Sequence, residues 1–210
     1  MKELRREYAS RTLDLDATDA NPIAQFRAWF AEAVSAHLID PNAMSLATAS
    51  ATGEPSVRTV LLKDVDETGF VFFTHYTSPK GRALAENPRA SLLFFWATLE
   101  RQVRITGAVT RVRREVSEEY FASRPLESQW AVWAAPQSSE LADRQTLQQR
   151  FEEVKRRFAN QPVPCPDDWG GYHVAAEQME FWQGRPGRLH DRIAYNRGAD
   201  GSWTRTRLAP

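Results

Sequence analysis

An alternating run of cationic residues near the end of the chain is the first sign of chemistry. Residues 187–196 read GRLHDRIAYN. Because side chains of a β-strand point alternately to its two faces, Arg188, His190 and Arg192 would share one face if this stretch is a strand. Two guanidiniums and an imidazole placed together repel one another unless an anionic group faces them. The pattern therefore predicts a site for an anion on this face.

Cations and polar donors also interrupt other apolar segments, VRTVLLKDV at 57–65 and LERQVRITG at 99–107. The interrupting residues are Arg58, Lys63, Arg101, Gln102 and Arg104.

A third segment repeats polar side chains every four residues. Tyr120 and Arg124 would lie on one face of a helix. Pro125 ends that helix, so a loop would have to bring Ser128 round to them. A phenol, a guanidinium and a hydroxyl are suitable donors for a phosphate.

Each of these residues also has an ordinary structural interpretation. A single arginine on a strand usually lies at a solvated edge, and a tyrosine is more often half-buried packing than a ligand contact. The run at 188–192 could be a solvated face paired with carboxylates. Taken together, however, the segments supply donors and cations but neither a pair of catalytic acids nor a metal-ligand cluster. The whole pattern favours large bound anions and predicts no metal site.

Composition and missing motifs exclude several classes of protein. The chain has 210 residues with a formal net charge of zero, which argues against nucleic-acid binding. No apolar run approaches the roughly 20 residues of a membrane span, and the N-terminal residues lack a signal-peptide core. Glycine-rich nucleotide-binding loops are absent, and Cys165, the only cysteine, is expected to be an ordinary thiol. We expect a cytoplasmic protein that binds neither a membrane nor nucleic acid.

The elements that would position the candidate residues follow from caps and periodicity. Asn21 and Pro22 predict the start of a helix, and Ser78 and Pro79 predict the start of another. Further helices are predicted at 115–124 and 138–159. The buried side of the first helix would be formed by Ile23, Phe26, Phe30, Ala33 and Val34.

About eight strands are predicted, joined mostly by short loops. They span residues 43–49, 56–65, 70–75, 89–97, 101–113, 171–184, 188–196 and 202–208. Short connections require antiparallel pairing. We therefore predict an α+β fold, with an antiparallel sheet or barrel and flanking helices, as a single domain over residues 21–210.

Several stretches match a known family, in order, along nearly the whole chain. The most specific are SRPLESQ at 123–129 and FWQG followed by RLHDR at 181–192, and RREY at 5–8 and RTVLLK at 58–63 also match. On these motifs the chain resembles the pyridoxamine 5′-phosphate oxidase (pyridoxine 5′-phosphate oxidase) family of flavin enzymes. The resemblance implies an FMN-binding split β-barrel that works as a homodimer with FMN at the subunit interface.

The resemblance also implies which residues bind the cofactor. The FMN contacts would be Arg58, Thr59, Val60, Leu61, Leu62, Lys63, Phe73, Thr74, Lys80, Gln102, Gln137, Ser138, Trp182 and Arg192. Residues 1–20 would form a mobile N-terminal segment that closes over the site.

Substrate binding and catalysis are implied in the same way. The substrate contacts would be Arg5, Tyr8, Lys63, Tyr120, Arg124, Ser128, Arg188 and His190, and the catalytic residues would be Arg188, His190 and Arg192. The implied reaction transfers hydride from C4′ of pyridoxamine or pyridoxine 5′-phosphate to flavin N5. Dioxygen then reoxidises the flavin and yields hydrogen peroxide, and the amine substrate also releases ammonia.

The chain departs from the family pattern in two places. The family usually has Ser-Arg-Lys where this chain has Ser78-Pro79-Lys80, so a guanidinium expected near the FMN phosphate is missing. Residues 130–133, WAVW, replace a stretch closer to IGAW.

Two alternatives stay open. One is a flavin oxidase of the same fold that acts on another ring, such as a phenazine precursor, and it would not need Tyr120, Arg124 and Ser128 together. The other is a non-catalytic split-barrel protein that binds flavin or haem, and it would not need RLHDR.

Overall fold

Five helices flank an antiparallel sheet in the computed structural model, which describes Tyr8 and residues 11–210. The helices are α1 (Pro22–Ser35), α2 (Pro79–Glu86), α3 (Arg114–Ser123), α4 (Leu126–Ala134) and α5 (Arg144–Arg157). The strands are β1 (Ala43–Ala49), β2 (Pro55–Leu61), β3 (Asp64–Val65), β4 (Gly69–His75), β5 (Arg89–Trp96), β6 (Arg101–Arg111), β7 (Trp169–Ala175), β8 (Gln178–Gln183), β9 (Asp191–Arg197) and β10 (Trp203–Leu208). None of the described helices has the length and apolar character needed to cross a bilayer.

The sheet curls through a corner in β6. Its main path runs β10-β9-β8-β6-β5-β1-β2, and β7 joins the end of β6 to β4, which pairs with β3. A Cβ on Gly107, in β6, would lie 1.6 Å from the carbonyl oxygen of Ala175, so only glycine lets the two backbones pass. This curled antiparallel sheet with flanking helices confirms the predicted α+β split-barrel fold.

The core is centred on aromatic rings between α1 and the sheet. Phe26 packs against Phe70 and Phe94, with ring centroids 4.8 and 4.9 Å apart. The predicted cap holds α1 in place, because the Asn21 side chain accepts a hydrogen bond from the Ile23 N–H. The prediction for Val34 is wrong: it is 49% exposed, because the buried face of α1 is formed by Ile23, Phe26, Trp29 and Ala33.

The described residues form ten strands rather than about eight, because two predicted strands break. The predicted strand at 171–184 separates into β7 and β8, which pair with different partners. The chain switches partner at Ala176 and Glu177, whose N–H groups donate to the carbonyls of Thr68 and Thr106. The predicted strand at 56–65 likewise divides into β2 and β3.

The expectation of a loop after Pro125 is wrong, because Ser128 lies in the first turns of α4. Pro125 ends α3 and at once provides the N-cap position of the next helix. The Gln129 side-chain amide donates to the carbonyls of Ala122 and Arg124, at 3.3 and 2.8 Å. These bonds satisfy the free carbonyls at the end of α3 and fix the corner between the two helices.

Residues 11–20 lie against the C-terminal strands. The Leu13 N–H donates to Asp191 Oδ2 at 3.1 Å, and Arg205 Nη1 donates to the carbonyl oxygens of Leu15 and Thr18. The mobility of residues 1–20, and their separation from a domain at 21–210, stay predictions. Arg5 lies outside the described residues.

Candidate active site

An open cavity of about 810 Å³ lies where β2, β4 and the α3–α4 corner meet. It brings together most residues predicted for the cofactor and for the substrate phosphate. These residues are Arg58, Thr59, Val60, Leu61, Lys63, Phe73, Thr74, Lys80, Tyr120, Arg124, Ser128, Gln137 and Ser138. Leu62 is not among them, because its side chain is buried in the hydrophobic core.

Lys80 is a buried cation with neutral partners in this cavity. Its Nζ donates to Gln137 Oε1 at 2.6 Å, to Thr74 Oγ1 at 3.1 Å and to Ser78 Oγ at 3.3 Å. Burial, with a smaller contribution from the charge of Arg58, lowers the pKa of Lys80 to about 8. A buried ammonium held only by neutral oxygens is a suitable partner for an anion.

Arg58 is fixed against the neighbouring strand. Its Nη1 donates to the Leu46 carbonyl at 3.1 Å and to Thr48 Oγ1 at 2.8 Å, and its Nη2 donates to Ser56 Oγ at 2.6 Å. Partial burial lowers the pKa of the guanidinium. The positive charge of Arg58 acts on Lys80. In the described part of the chain, neither of the two cations is paired with a carboxylate.

An aromatic wall closes one side of the cavity. The rings of Tyr120 and Phe73 stack with centroids 4.0 Å apart, and the ring of Trp169 lies 5.5 Å from Phe73. Lys63 Nζ lies 6.0 Å from the centre of the Tyr120 ring. These contacts leave a flat apolar surface bordered by positive charge.

Arg124 has free hydrogen-bonding capacity at this wall. Its guanidinium carbon lies 5.0 Å from the centre of the Trp169 ring, and its buried Nη1 makes no hydrogen bond. Burial lowers the pKa of this guanidinium. Since an unpaired buried donor is costly, the arrangement favours a ligand that accepts from Arg124.

A second group of candidate residues, the β8–β9 cluster, lies elsewhere on the sheet. Gln102, Trp182 and Arg192 are neighbours across β6, β8 and β9. The His190 ring lies 4.6 Å from Trp182, and the Tyr8 ring lies 5.7 Å from His190 and 5.8 Å from Trp182. The β8–β9 cluster comprises Tyr8, Gln102, Trp182, His190 and Arg192.

The predicted strand alternation of Arg188, His190 and Arg192 is wrong for the first two residues. Strand β9 begins at Asp191, and Arg188 ends a 3-10 turn with a φ of +63°. Pro186 and Gly187 form this turn, which delays the strand. His190 Nδ1 accepts the Arg185 backbone N–H at 3.1 Å, so the neutral ring carries its proton on Nε2.

Glu180, which the sequence interpretation missed, holds Arg192. Its Oε1 accepts from Arg192 Nε at 2.9 Å and its Oε2 from Arg192 Nη2 at 3.2 Å, while Arg104 pairs with the same carboxylate. The hydrogen bonds that Arg192 donates to Glu180 raise the pKa of Arg192. Glu180 is two residues before Trp182 in a strand, so the alternation rule could have identified it.

His75 is a second missed residue. It lines the cavity at the end of β4 and is 6% exposed. Its Nδ1 lies 3.7 Å from Asp168 Oδ2 and makes no hydrogen bond. No charged neighbours along the sequence mark His75, because the cations that share its cavity belong to other elements.

The cavity and the β8–β9 cluster are apart within one chain. Strands β1, β5 and β6 lie between β2 and β8 in the sheet. Four strand spacings correspond to about 19 Å along the curved sheet. None of the five cluster residues lines the cavity, so within one chain the predicted cofactor residues form two separate groups.

The residues present fit FMN, a flat aromatic cofactor that ends in a phosphate. The cavity offers stacked rings, the buried Lys80 ammonium and the unpaired Arg124 donor. Its described lining includes the cations Arg58, Lys63, Lys80 and Arg124 and no carboxylate. The site therefore suits phosphate groups.

Comparison with known proteins gives the same result as the motifs. The family described as "Pyridoxamine 5′-phosphate oxidase" matches residues 30–158, and the "Pyridoxine 5′-phosphate oxidase C-terminal dimerisation region" matches residues 169–210. The chain is 54% identical to a pyridoxine/pyridoxamine 5′-phosphate oxidase of Ralstonia pickettii, covering 99% of this chain and 98% of the relative. It is 53% identical to the enzyme of that name from Cupriavidus pinatubonensis, covering 100% and 99%.

Solved structures share the fold. PhzG of Burkholderia lata, crystallised with tetrahydrophenazine-1-carboxylic acid, aligns with a TM-score of 0.91 and 31% identity, covering 98% of this chain and 100% of that one. A pyridoxamine 5′-phosphate oxidase-related, FMN-binding protein of Nostoc punctiforme aligns with a TM-score of 0.72 and 17% identity, covering 88% and 97%. The relatives match essentially the whole chain, and both family descriptions agree with the motifs. The chain therefore belongs to the pyridoxamine 5′-phosphate oxidase family of flavin enzymes.

Proposed function

We propose that the protein oxidises pyridoxamine 5′-phosphate and pyridoxine 5′-phosphate to pyridoxal 5′-phosphate, with FMN as cofactor and dioxygen as oxidant. Hydrogen peroxide is released, and the amine substrate also yields ammonia. The observation that carries this proposal is a cavity whose described lining has four cations, no carboxylate and a stacked aromatic wall. Membership of the oxidase family supports the reaction type.

Arg58 and Lys80 would bind the phosphate of FMN. Thr74 and Gln137 orient the Lys80 ammonium through their oxygens, so little further ordering is needed when the phosphate arrives. When bound, FMN supplies the redox chemistry, accepting hydride from substrate C4′ and passing electrons to dioxygen.

The substrate phosphate would be bound by Lys63, Tyr120, Arg124 and Ser128. The unpaired Nη1 of Arg124 gives this assignment its strongest support, because a phosphate oxygen would satisfy it. Tyr120 and Ser128 approach from α3 and α4, which Gln129 holds at a fixed corner.

A homodimer would complete the site. Exposed Val57, Leu61 and Phe95 lie on the same face of the sheet as Trp182 and Arg192, as the strand registers require. Trp182 and Arg192 both lie within residues 169–210, which match a dimerisation region. A second copy packed on this face would bring the partner subunit's Trp182 and the partner subunit's Arg192 to the cavity.

In this arrangement the β8–β9 cluster would contact the flavin ring and the pyridine ring of the substrate. Arg192, held by Glu180, would stabilise the negative charge that develops on the flavin ring during reduction. Arg188 and His190 would hold the pyridine ring so that C4′ faces the flavin, and the His190 Nε2–H is the donor available for this. Tyr8 would cover the same rings.

The likeness to PhzG favours a second candidate, oxidation of a phenazine precursor. Such a substrate would make no use of the phosphate donors Tyr120, Arg124 and Ser128. A non-catalytic flavin or haem carrier would make no use of the β8–β9 cluster.

The test is a turnover assay in air. Purified protein with FMN is given pyridoxamine 5′-phosphate, pyridoxine 5′-phosphate, unphosphorylated pyridoxamine or a dihydrophenazine carboxylic acid, and aldehyde and peroxide are measured. We expect turnover of the two phosphorylated pyridines and much slower turnover of the others. Equal oxidation of unphosphorylated pyridoxamine, or a preference for the phenazine precursor, would contradict the proposal.

A further inference from the structure

His75 occupies a position in the cavity for which the cofactor and substrate assignments give no role. It is the last residue of β4, immediately before the turn that leads to Ser78 and α2. The side chain lines the same cavity as Lys80 and Arg124 and is almost fully buried. A buried imidazole on the border of a phosphate cavity is therefore available for binding.

The imidazole has one acidic neighbour that can steady a positive charge. Asp168 Oδ2 lies 3.7 Å from Nδ1, too far for a hydrogen bond, and Nδ1 has no other partner. Asp168 is itself held, because Thr77 Oγ1 donates to its Oδ2 and the Tyr76 N–H donates to its carbonyl. A small approach of the two side chains would form an ion pair when the ring is protonated.

The charged groups that face His75 are Asp168, Lys80 and Arg124. Burial lowers the pKa of the imidazole most, Asp168 raises it, and the two cations lower it further. A phosphate between those cations would offset their repulsion, and the protonated form of the ring would then become favourable.

We propose that His75 is a further residue for the phosphate of FMN, which takes up a proton as the phosphate binds and is held in that form by Asp168. The inference rests on the proposed FMN site. It also gives this chain a cation at a site where Pro79, exposed at the start of α2, supplies none.

The proposal is tested by binding to apo-protein rather than by turnover. FMN and riboflavin, which lacks the phosphate, are titrated into the wild type, His75→Asn and His173→Asn at pH 7.5. The last variant is a matched control, because His173 also pairs with an aspartate, Asp66, and does not line the cavity. FMN is chiefly dianionic at this pH, since the second pKa of such a phosphate is about 6.

We expect His75→Asn to weaken FMN binding about tenfold, as for a lost hydrogen bond to a charged group, and to leave riboflavin binding unchanged. His173→Asn should bind both ligands like the wild type. Unchanged FMN affinity in His75→Asn would overturn the inference, and so would an equal loss for riboflavin, because that would indicate a packing defect.

Proton uptake on FMN binding is a second measurement, which reports the protonation of His75 separately from the change in affinity. Calorimetry of FMN binding in two buffers of different ionisation enthalpy gives the number of protons taken up. Lys80 contributes in every form, so the excess in the wild type over His75→Asn reports His75, and Asp168→Asn should reduce that excess. Equal uptake in wild type and His75→Asn would overturn the inference even if the oxidase activity is present, whereas failure of the wild type to bind FMN would reject the proposed function itself.

Discussion

Both carboxylate oxygens of Glu180 accept hydrogen bonds from Arg192 across the paired strands β8 and β9, at 2.9 Å from Nε and 3.2 Å from Nη2. The carboxylate is nearly buried, and the Arg192 side chain is only 25% exposed. The guanidinium therefore has one strongly preferred orientation.

Glu180→Gln should lower kcat about tenfold, because the neutral amide loses a charge-assisted pair of the kind worth about 1.5–3 kcal/mol and lets Arg192 reorient. KM should change less than kcat, since the phosphate donors are untouched. Steady-state kinetics with pyridoxine 5′-phosphate checks this. Glu177→Gln, which breaks the exposed Glu177–Arg89 pair, is the matched control and should behave like the wild type.

Arg124→Ala should reduce kcat/KM for the phosphorylated substrates by about 10- to 150-fold, the kinetic equivalent of about 1.5–3 kcal/mol for a hydrogen bond to a charged group. The slow reaction of unphosphorylated pyridoxamine should be unaffected. Arg113→Ala, on an exposed side chain at the start of α3, is the control. An equal loss of kcat/KM for phosphorylated and unphosphorylated substrates would contradict the assignment of Arg124 to the substrate phosphate.

FMN binding should weaken as the pH rises above about 8. The pKa of Lys80 is lowered to about 8 in the free site, and a bound phosphate would raise it. The favourable interaction is therefore complete below the free-site pKa and is lost as the pH rises towards the bound-state pKa. Fluorescence titration from pH 7 to 10 measures this, and Lys80→Arg, which stays charged throughout, should make the decline above pH 8 shallower while the proton uptake proposed for His75 is retained. A flat profile in the wild type would contradict the assignment of Lys80.

Pro79→Arg should strengthen FMN binding by up to about 1–2 kcal/mol, less than a full charged hydrogen bond because the new side chain must be ordered. The helix cap should survive, since Ser78 Oγ accepts from the Gly81 N–H independently of residue 79. Pro79→Ala separates loss of the ring from gain of the charge. Unchanged or weaker binding in an FMN titration at fixed salt would show that Pro79 leaves no phosphate contact missing.

Local signals made part of this structure predictable. Asn21 and Ser78 cap helices as expected, because capping depends on residues within one turn. The residues lining the cavity could be named largely through resemblance, since β2, β4 and α3 are distant in sequence and periodicity does not bring them together.

Other features depend on tertiary structure that local patterns do not contain. Arg188 looked like a strand residue, but Pro186 and Gly187 make a turn whose extent alternation cannot show. The strand expected at 171–184 breaks because the sheet turns a corner and β7 and β8 need different partners. The place of His75 in the cavity cannot be predicted from its neighbours in sequence, because Lys80 and Arg124 belong to other elements.

The separation of the cavity from the β8–β9 cluster has a consequence for dimers formed from two different variant chains. If each site takes its cavity from one subunit and its cluster from the other, an Arg124→Ala chain and an Arg192→Ala chain are each strongly impaired alone but complement each other. In a mixed dimer one site carries both substitutions and is impaired, and the other carries neither and has wild-type activity towards the phosphorylated substrates. Random reassociation of equal amounts should restore about one quarter of the wild-type sites, whereas a site built within one chain would restore none.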